Sequence, residues 1–119
     1  MPRYELLVGE PWDFSGPDGG NRIELAYLGR VEGPDEENWD SAYLLFQVLH
    51  PFDFSGNSVQ QLIASPRYEG DSLSKVRMLG GMVGVARVIS NSGLRAKDKF
   101  SSSEVEYIII GQLKRRWWR

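Results

Sequence analysis

The chain has 119 residues, 41% of them hydrophobic and 25% charged, which suits a single globular domain around one core and excludes disordered and fibrous classes. With no cysteine there is no disulfide framework, no thiolate nucleophile and no Cys-based zinc or iron–sulfur site. The net charge of −2 hides an asymmetry: residues 1–56 carry three Arg, no Lys and eleven acids, whereas residues 57–119 carry eleven basic side chains and five acids. Such a split either neutralises itself within one fold or presents two opposed patches, one of which steers a charged partner.

In chain order, the first predicted element is a strand over 4–9. The opening MPRYELLVGE has no apolar stretch long enough for a signal-peptide core. A second strand is predicted over 22–31, where Ile23, Leu25 and Tyr27 share one face. The acidic stretch GPDEENWD (33–40) follows, and then a strand over 42–50 that is apolar on both faces. That segment also fits a buried helix capped by Asp40, but Pro51 and the aromatic and β-branched content favour a strand. Further strands are predicted over 58–65, 82–90 and 104–113, the last with Val105, Tyr107 and Ile109 opposing Glu104, Glu106 and Ile108. Between them a short helix is predicted over 72–79, capped by Asp71 or Ser72 and ended by Gly80. Residues 91–103 read as a mobile polar loop, and Gly29, Gly84 and Gly111 as bulges or bends. The longest apolar runs, Ala42–Phe46 and Tyr107–Ile110, are too short to cross a bilayer, so the expectation is a soluble, cytoplasmic protein without a membrane partner.

PWDFSG (11–16) and PFDFSG (51–56) match at five of six positions, and the similarity extends weakly, so that 11–33 resembles 51–71. Each unit reads as strand, Ser-Gly turn, strand, with Asp13 and Asp53 capping the turns, and Ser92-Gly93 hints at a third copy. The predicted fold is therefore all-β, mainly antiparallel: a small six-stranded barrel or sandwich of repeated hairpins with one short helix. Two alternatives are an OB-like barrel, although six strands is one too many, and a β-trefoil-like fold, although only two strands per unit can be counted.

Catalytic readings give way to structural ones. His50 and Asp53 are three apart, which in a strand puts them on opposite faces, and no nucleophile accompanies them. The paired Asp13 and Asp53 lie one residue too far from Ser-Gly for an aspartic-protease dyad. Asp35, Glu36, Glu37 and Asp40 lack the ligand spacing of a calcium loop, and the glycines of 16–21 and 80–84 lack a P-loop lysine. No catalytic residue, metal site or cofactor is assigned.

Two features point to recognition. SPRYEGD (65–71) crowds Arg67 and Tyr68 with Glu69 and Asp71, either as a turn held by an Arg–carboxylate pair or as a cation and aromatic offered at a barrel rim. The terminus KRRWWR interleaves charge with aromatics, the composition that binds single-stranded nucleic acid, unless one Trp packs on the body. The expected function is a non-enzymatic binding module whose partner is a protein, with Arg67, Tyr68, Lys114, Arg115, Arg116, Trp117 and Trp118 as partner-binding residues. The alternative is binding of nucleic acid or another polyanion through the basic, Trp-rich C-terminus. A homodimer joining acidic and basic faces is a structural alternative.

Overall fold

Tyr4, Leu6 and Val8 alternate with Arg3, Glu5 and Leu7, and this period of two turns one face of strand β1 (Arg3–Val8) inward. The computed structural model describes residues 3–9, 22–37, 39–54, 56–68 and 70–116. The remaining strands are β2 (Arg22–Glu32), β3 (Ala42–Phe54), β4 (Asn57–Pro66), β5 (Gly81–Val88) and β6 (Val105–Arg116). Each pairs antiparallel with its chain neighbour, and β6 pairs with β1, from Arg3 opposite Arg116 to Val8 opposite Gly111. The result is a closed six-stranded barrel, the expected all-β class. Its up-and-down order is not the Greek key of an OB barrel, and six strands among the described residues fall short of a trefoil.

The inner faces fill the barrel with Tyr4, Leu6, Ile23, Leu25, Leu44, Phe46, Leu62, Val85 and Leu113, among others. Helix α1 (Leu73–Leu79) closes one end with fully buried Val76. Its boundaries follow from local chemistry. Ser72 Oγ accepts a hydrogen bond from Lys75 N–H at 3.0 Å, and the Gly80 N–H donates to Val76 O at 2.8 Å. Gly80 has φ of 80°, and a Cβ there would sit 2.3 Å from Leu113 O, so only glycine fits. The Tyr4 hydroxyl donates to Arg77 O at 2.6 Å and ties the helix end to the barrel.

Strand β3 is apolar on both faces because it has two cores. Leu44, Phe46 and Val48 face the interior, whereas Tyr43 and Leu45 join Val31, Ile63, Ala86, Leu94, Phe100 and Val105 in a second cluster outside the barrel wall. The cover of that cluster is the segment 91–104, which corrects the expectation of a mobile loop. Leu94 and Phe100 are buried, Gln61 holds Leu94 by two hydrogen bonds, and Lys97 and Phe100 donate backbone N–H bonds to Arg30 and Glu32. The polar composition of 91–103 misled because only two apolar side chains were needed to anchor it.

Of the glycines expected at bulges, Gly29 sits at a register shift, with a φ of 143° and no room for a Cβ against Ala96. Gly84 and Gly111 lie within regular pairing. Gly111 instead permits close approach of β1, since a Cβ would lie 2.6 Å from Leu7 O. The bulge near Gly84 falls between Val85 and Ala86, opposite Ile109 and Tyr107, so Ile108 is the extra residue. Ile108 is buried in the barrel core, whereas Tyr107 is turned outward on the same side as Val105, the opposition that the alternation of this strand predicts. The second PFDFSG copy forms the β3–β4 hairpin with Gly56 at φ of 82°. The first copy lies outside the described residues. Ser92-Gly93 lies in the connection between β5 and β6, which pair antiparallel from Val88 opposite Val105, so it again separates two paired strands, although across a long segment and not a tight turn.

Candidate functional site

The outward turn of Tyr107 builds an aromatic cluster on the barrel exterior. Its ring stacks on Trp39, with centroids 5.1 Å apart and planes 24° apart, and Trp39 meets Tyr43 and Phe100 edge to face. The Asp40 N–H donates to Tyr43 Oη at 3.2 Å, and the Tyr43 and Tyr107 hydroxyls share a hydrogen bond of 2.8 Å. Burial and then the bond to Tyr107 push the Tyr43 pKa well above the ordinary tyrosine range. Tyr107 is 49% exposed, so one end of this clamped assembly faces solvent.

Beside Tyr107 runs an open groove of about 540 Å³ across β4, β5 and β6, lined by Ser65, Pro66, Arg67, Gly84, Tyr107 and Ile110. A second groove of about 440 Å³ at the α1 end of the barrel is lined by Arg30, Asp40, Ser41, Pro66, Arg67 and Tyr68, among others. Pro66 and Arg67 belong to both and form the ridge between them. Arg67 is placed by its backbone N–H, which donates to Met82 O at 2.9 Å. Its guanidinium makes no ion pair with a described residue. Asp71, the expected partner, binds Lys75 at 3.0 Å instead, and Glu69 lies outside the described residues. Tyr68 is 60% exposed.

The C-terminal candidates are placed differently from expectation. Lys114, Arg115 and Arg116 belong to β6 and not to a tail. Arg116 is ion-paired with Glu5, which also holds Arg22 at 3.2 Å, and Arg115 Nη1 reaches Met78 Sδ at 3.6 Å. Lys114 is exposed. Trp117 and Trp118 lie outside the described residues. The acidic loop also finds partners in the basic half: Asp35 binds Lys99 at 2.6 Å, raising the Lys99 pKa, and Glu36 accepts from Ser102. Asp35–Lys99 and Glu5–Arg116 thus pair the acidic half of the chain with the basic half.

His50 Nε2 lies 3.5 Å from Glu24 Oε2 across the β2–β3 surface and does not pair with Asp53. Asp53 sits opposite Ser58 in the ladder and makes no side-chain hydrogen bond to a described residue; Ser55, the next turn residue but one, lies outside the described residues. No group of three metal-ligating side chains occurs among the described residues.

A third groove, about 600 Å³ and lined by amide and hydroxyl side chains, lies near the β3–β4 turn. Several of its polar groups are committed internally: Gln61 holds Leu94, Gln47 donates to Gln60 O, and nearly buried Arg87 binds Phe54 O and Glu106, both at 2.9 Å, while its Nε has no partner among the described residues.

The Arg67–Tyr68 pair was legible as a polar turn holding an aromatic. Tyr107, Trp39 and Ser65 were missed as site residues, because they come together from far along the chain, Tyr43 and Tyr107 being 64 residues apart. Among the described residues no helix is long and apolar enough to cross a membrane. Fold and site together define a closed six-stranded antiparallel barrel with an exterior aromatic clamp beside an exposed arginine. Comparison with protein-family models, curated proteins and solved structures yields no match.

Proposed function

We propose that this chain is a non-enzymatic binding module whose exterior face across β4, β5 and β6 recognises a protein. One observation carries the reading: the half-exposed Tyr107 ring, held by Tyr43 and Trp39, stands beside an exposed Arg67 that has no partner among the described residues. A ring already immobilised loses little entropy on binding, and Tyr and Arg are residue types that dominate interface energetics. Engagement of Arg116 by Glu5 supports a protein partner over a polyanion, because phosphate would have to compete with that carboxylate.

The test uses the wild type and an Arg67→Ser/Tyr107→Ser double variant, both immobilised. Each is panned against a random-peptide phage library and titrated with a fluorescent single-stranded oligonucleotide. The proposal expects peptides enriched on the wild type and not on the variant, and only weak oligonucleotide binding. Submicromolar oligonucleotide binding with a log–log salt slope of about −3, as for four contacts by Lys114, Arg115, Arg116 and Arg119, would move the function to the C-terminus.

A further inference from the structure

We infer that the grooves flanking Arg67 take an extended peptide segment in which one carboxylate side chain lies next to an apolar side chain; this rests on the protein-recognition reading above. The ridge and its two flanks dictate the pattern. On one side the groove offers Tyr107, Ile110 and Pro66, and this flank takes the apolar side chain; on the other, Tyr68 and Pro66 stand among Arg30, Asp40, Ser41 and Asp71, a polar flank. Aromatic-lined grooves of this kind accept apolar side chains of extended, proline-containing segments, whose conformation needs little ordering.

Charge selects the central residue. Around the ridge, Arg67 and Arg30 make no ion pair among the described residues, and Asp40 is the one described carboxylate of either groove without a salt bridge, since Asp71 is bound to Lys75. Among the described residues the cations therefore outnumber the free carboxylates, and Arg67 stands at the ridge beside the apolar flank. A second polar feature points the same way. Ser65 is only 4% exposed, lines the Tyr107 groove, and its hydroxyl has no hydrogen-bond partner among the described residues. A carboxylate bridging Arg67 and Ser65 would satisfy a donor that the fold leaves open. In the Tyr107 groove one arginine beside apolar walls suits one carboxylate and not a chain of phosphates.

The experiment reads the consensus of peptides selected from a random 12-residue phage library on the wild type, on Arg67→Glu and on Ser65→Ala. Arg67 is exposed, so the charge reversal leaves folding intact, which a thermal melt checks. The wild type is expected to select Asp or Glu flanked within two or three residues by Pro or aromatic side chains. Synthetic peptides of that consensus are expected to bind Arg67→Glu at least about tenfold more weakly, and panning on Arg67→Glu to select Lys or Arg at the central position. Ser65→Ala is expected to weaken the same peptides by about threefold to tenfold. Selected peptides that lack the acid, or that bind wild type and Arg67→Glu equally, would overturn this inference while leaving protein recognition standing. No enrichment on the wild type at all would overturn both.

Discussion

Phe46 and Asp53 lie on the same strand seven residues apart, yet their substitution should differ by several kcal/mol. Phe46 is fully buried among Tyr4 and Tyr27, with ring centroids at 5.2 and 5.7 Å, so Phe46→Ala removes a packed ring and leaves a cavity. A loss of about 3–5 kcal/mol is expected by urea denaturation. Asp53 is exposed and makes no side-chain hydrogen bond to a described residue, so Asp53→Ala should stay within about 0.5 kcal/mol of wild type. A loss near 1 kcal/mol would restore the turn-capping role expected from its place in DFSG. Tyr43 supplies a pH test. Its pKa is raised in the fold, chiefly by burial, so above about pH 10 the unfolded chain releases this proton while the folded chain keeps it. The stabilisation is complete below that pH and is lost as pH rises. Denaturation at pH 8 and pH 10.5 should show wild type losing more stability than Tyr43→Phe; equal losses would contradict the burial argument.

Among the elements, the 91–104 segment decides how rigid the aromatic face is. It has little regular structure of its own, and its order comes from Phe100, Leu94 and backbone bonds to β2. Native-state hydrogen exchange should therefore protect the amides of Glu32, Lys97 and Phe100. Phe100→Ala should strip protection from Lys97 and Phe100 while the barrel amides of β1 keep theirs, because that strand belongs to the other core. Uniform loss across both would mean that the two clusters unfold as one. Helix α1 contrasts with this segment, since a serine cap, an i,i+4 Asp71–Lys75 pair and a glycine stop define it locally before packing adds Val76.

Barrel closure is a property of the whole molecule, because it joins the two ends of the chain. Glu5 on β1 binds Arg22 on β2 and Arg116 on β6, so one carboxylate spans the closing seam, with its side chain only 13% exposed. Glu5→Gln should cost about 1–3 kcal/mol, more than an exposed pair is worth, because it leaves two guanidiniums facing a neutral group. The same variant should increase oligonucleotide affinity slightly, by freeing positive charge on β6. An unchanged stability would show that the seam rests on its backbone ladder and Leu6–Leu113 packing alone. The pairing of Glu5 with Arg116 and of Asp35 with Lys99 shows two points at which the acidic half of the chain meets the basic half from far along the sequence.

The sequence by itself determined the six strands to within a few residues, the helix with both its caps, and a barrel-forming β class, because alternation, capping and turn chemistry act between residues at most a few positions apart. Arg67 and Tyr68 as an exposed turn pair were legible for the same reason. Only the tertiary structure decided that Tyr107 faces outward, that Asp71 goes to Lys75 and not to Arg67, that 91–104 is packed, and that Lys114–Arg116 continue a strand. These depend on ladder register and on which distant strand lies alongside. One inserted residue, Ile108, exchanges the inner and outer faces between one end of β6 and the other, and nothing local to Glu106–Ile110 announces it.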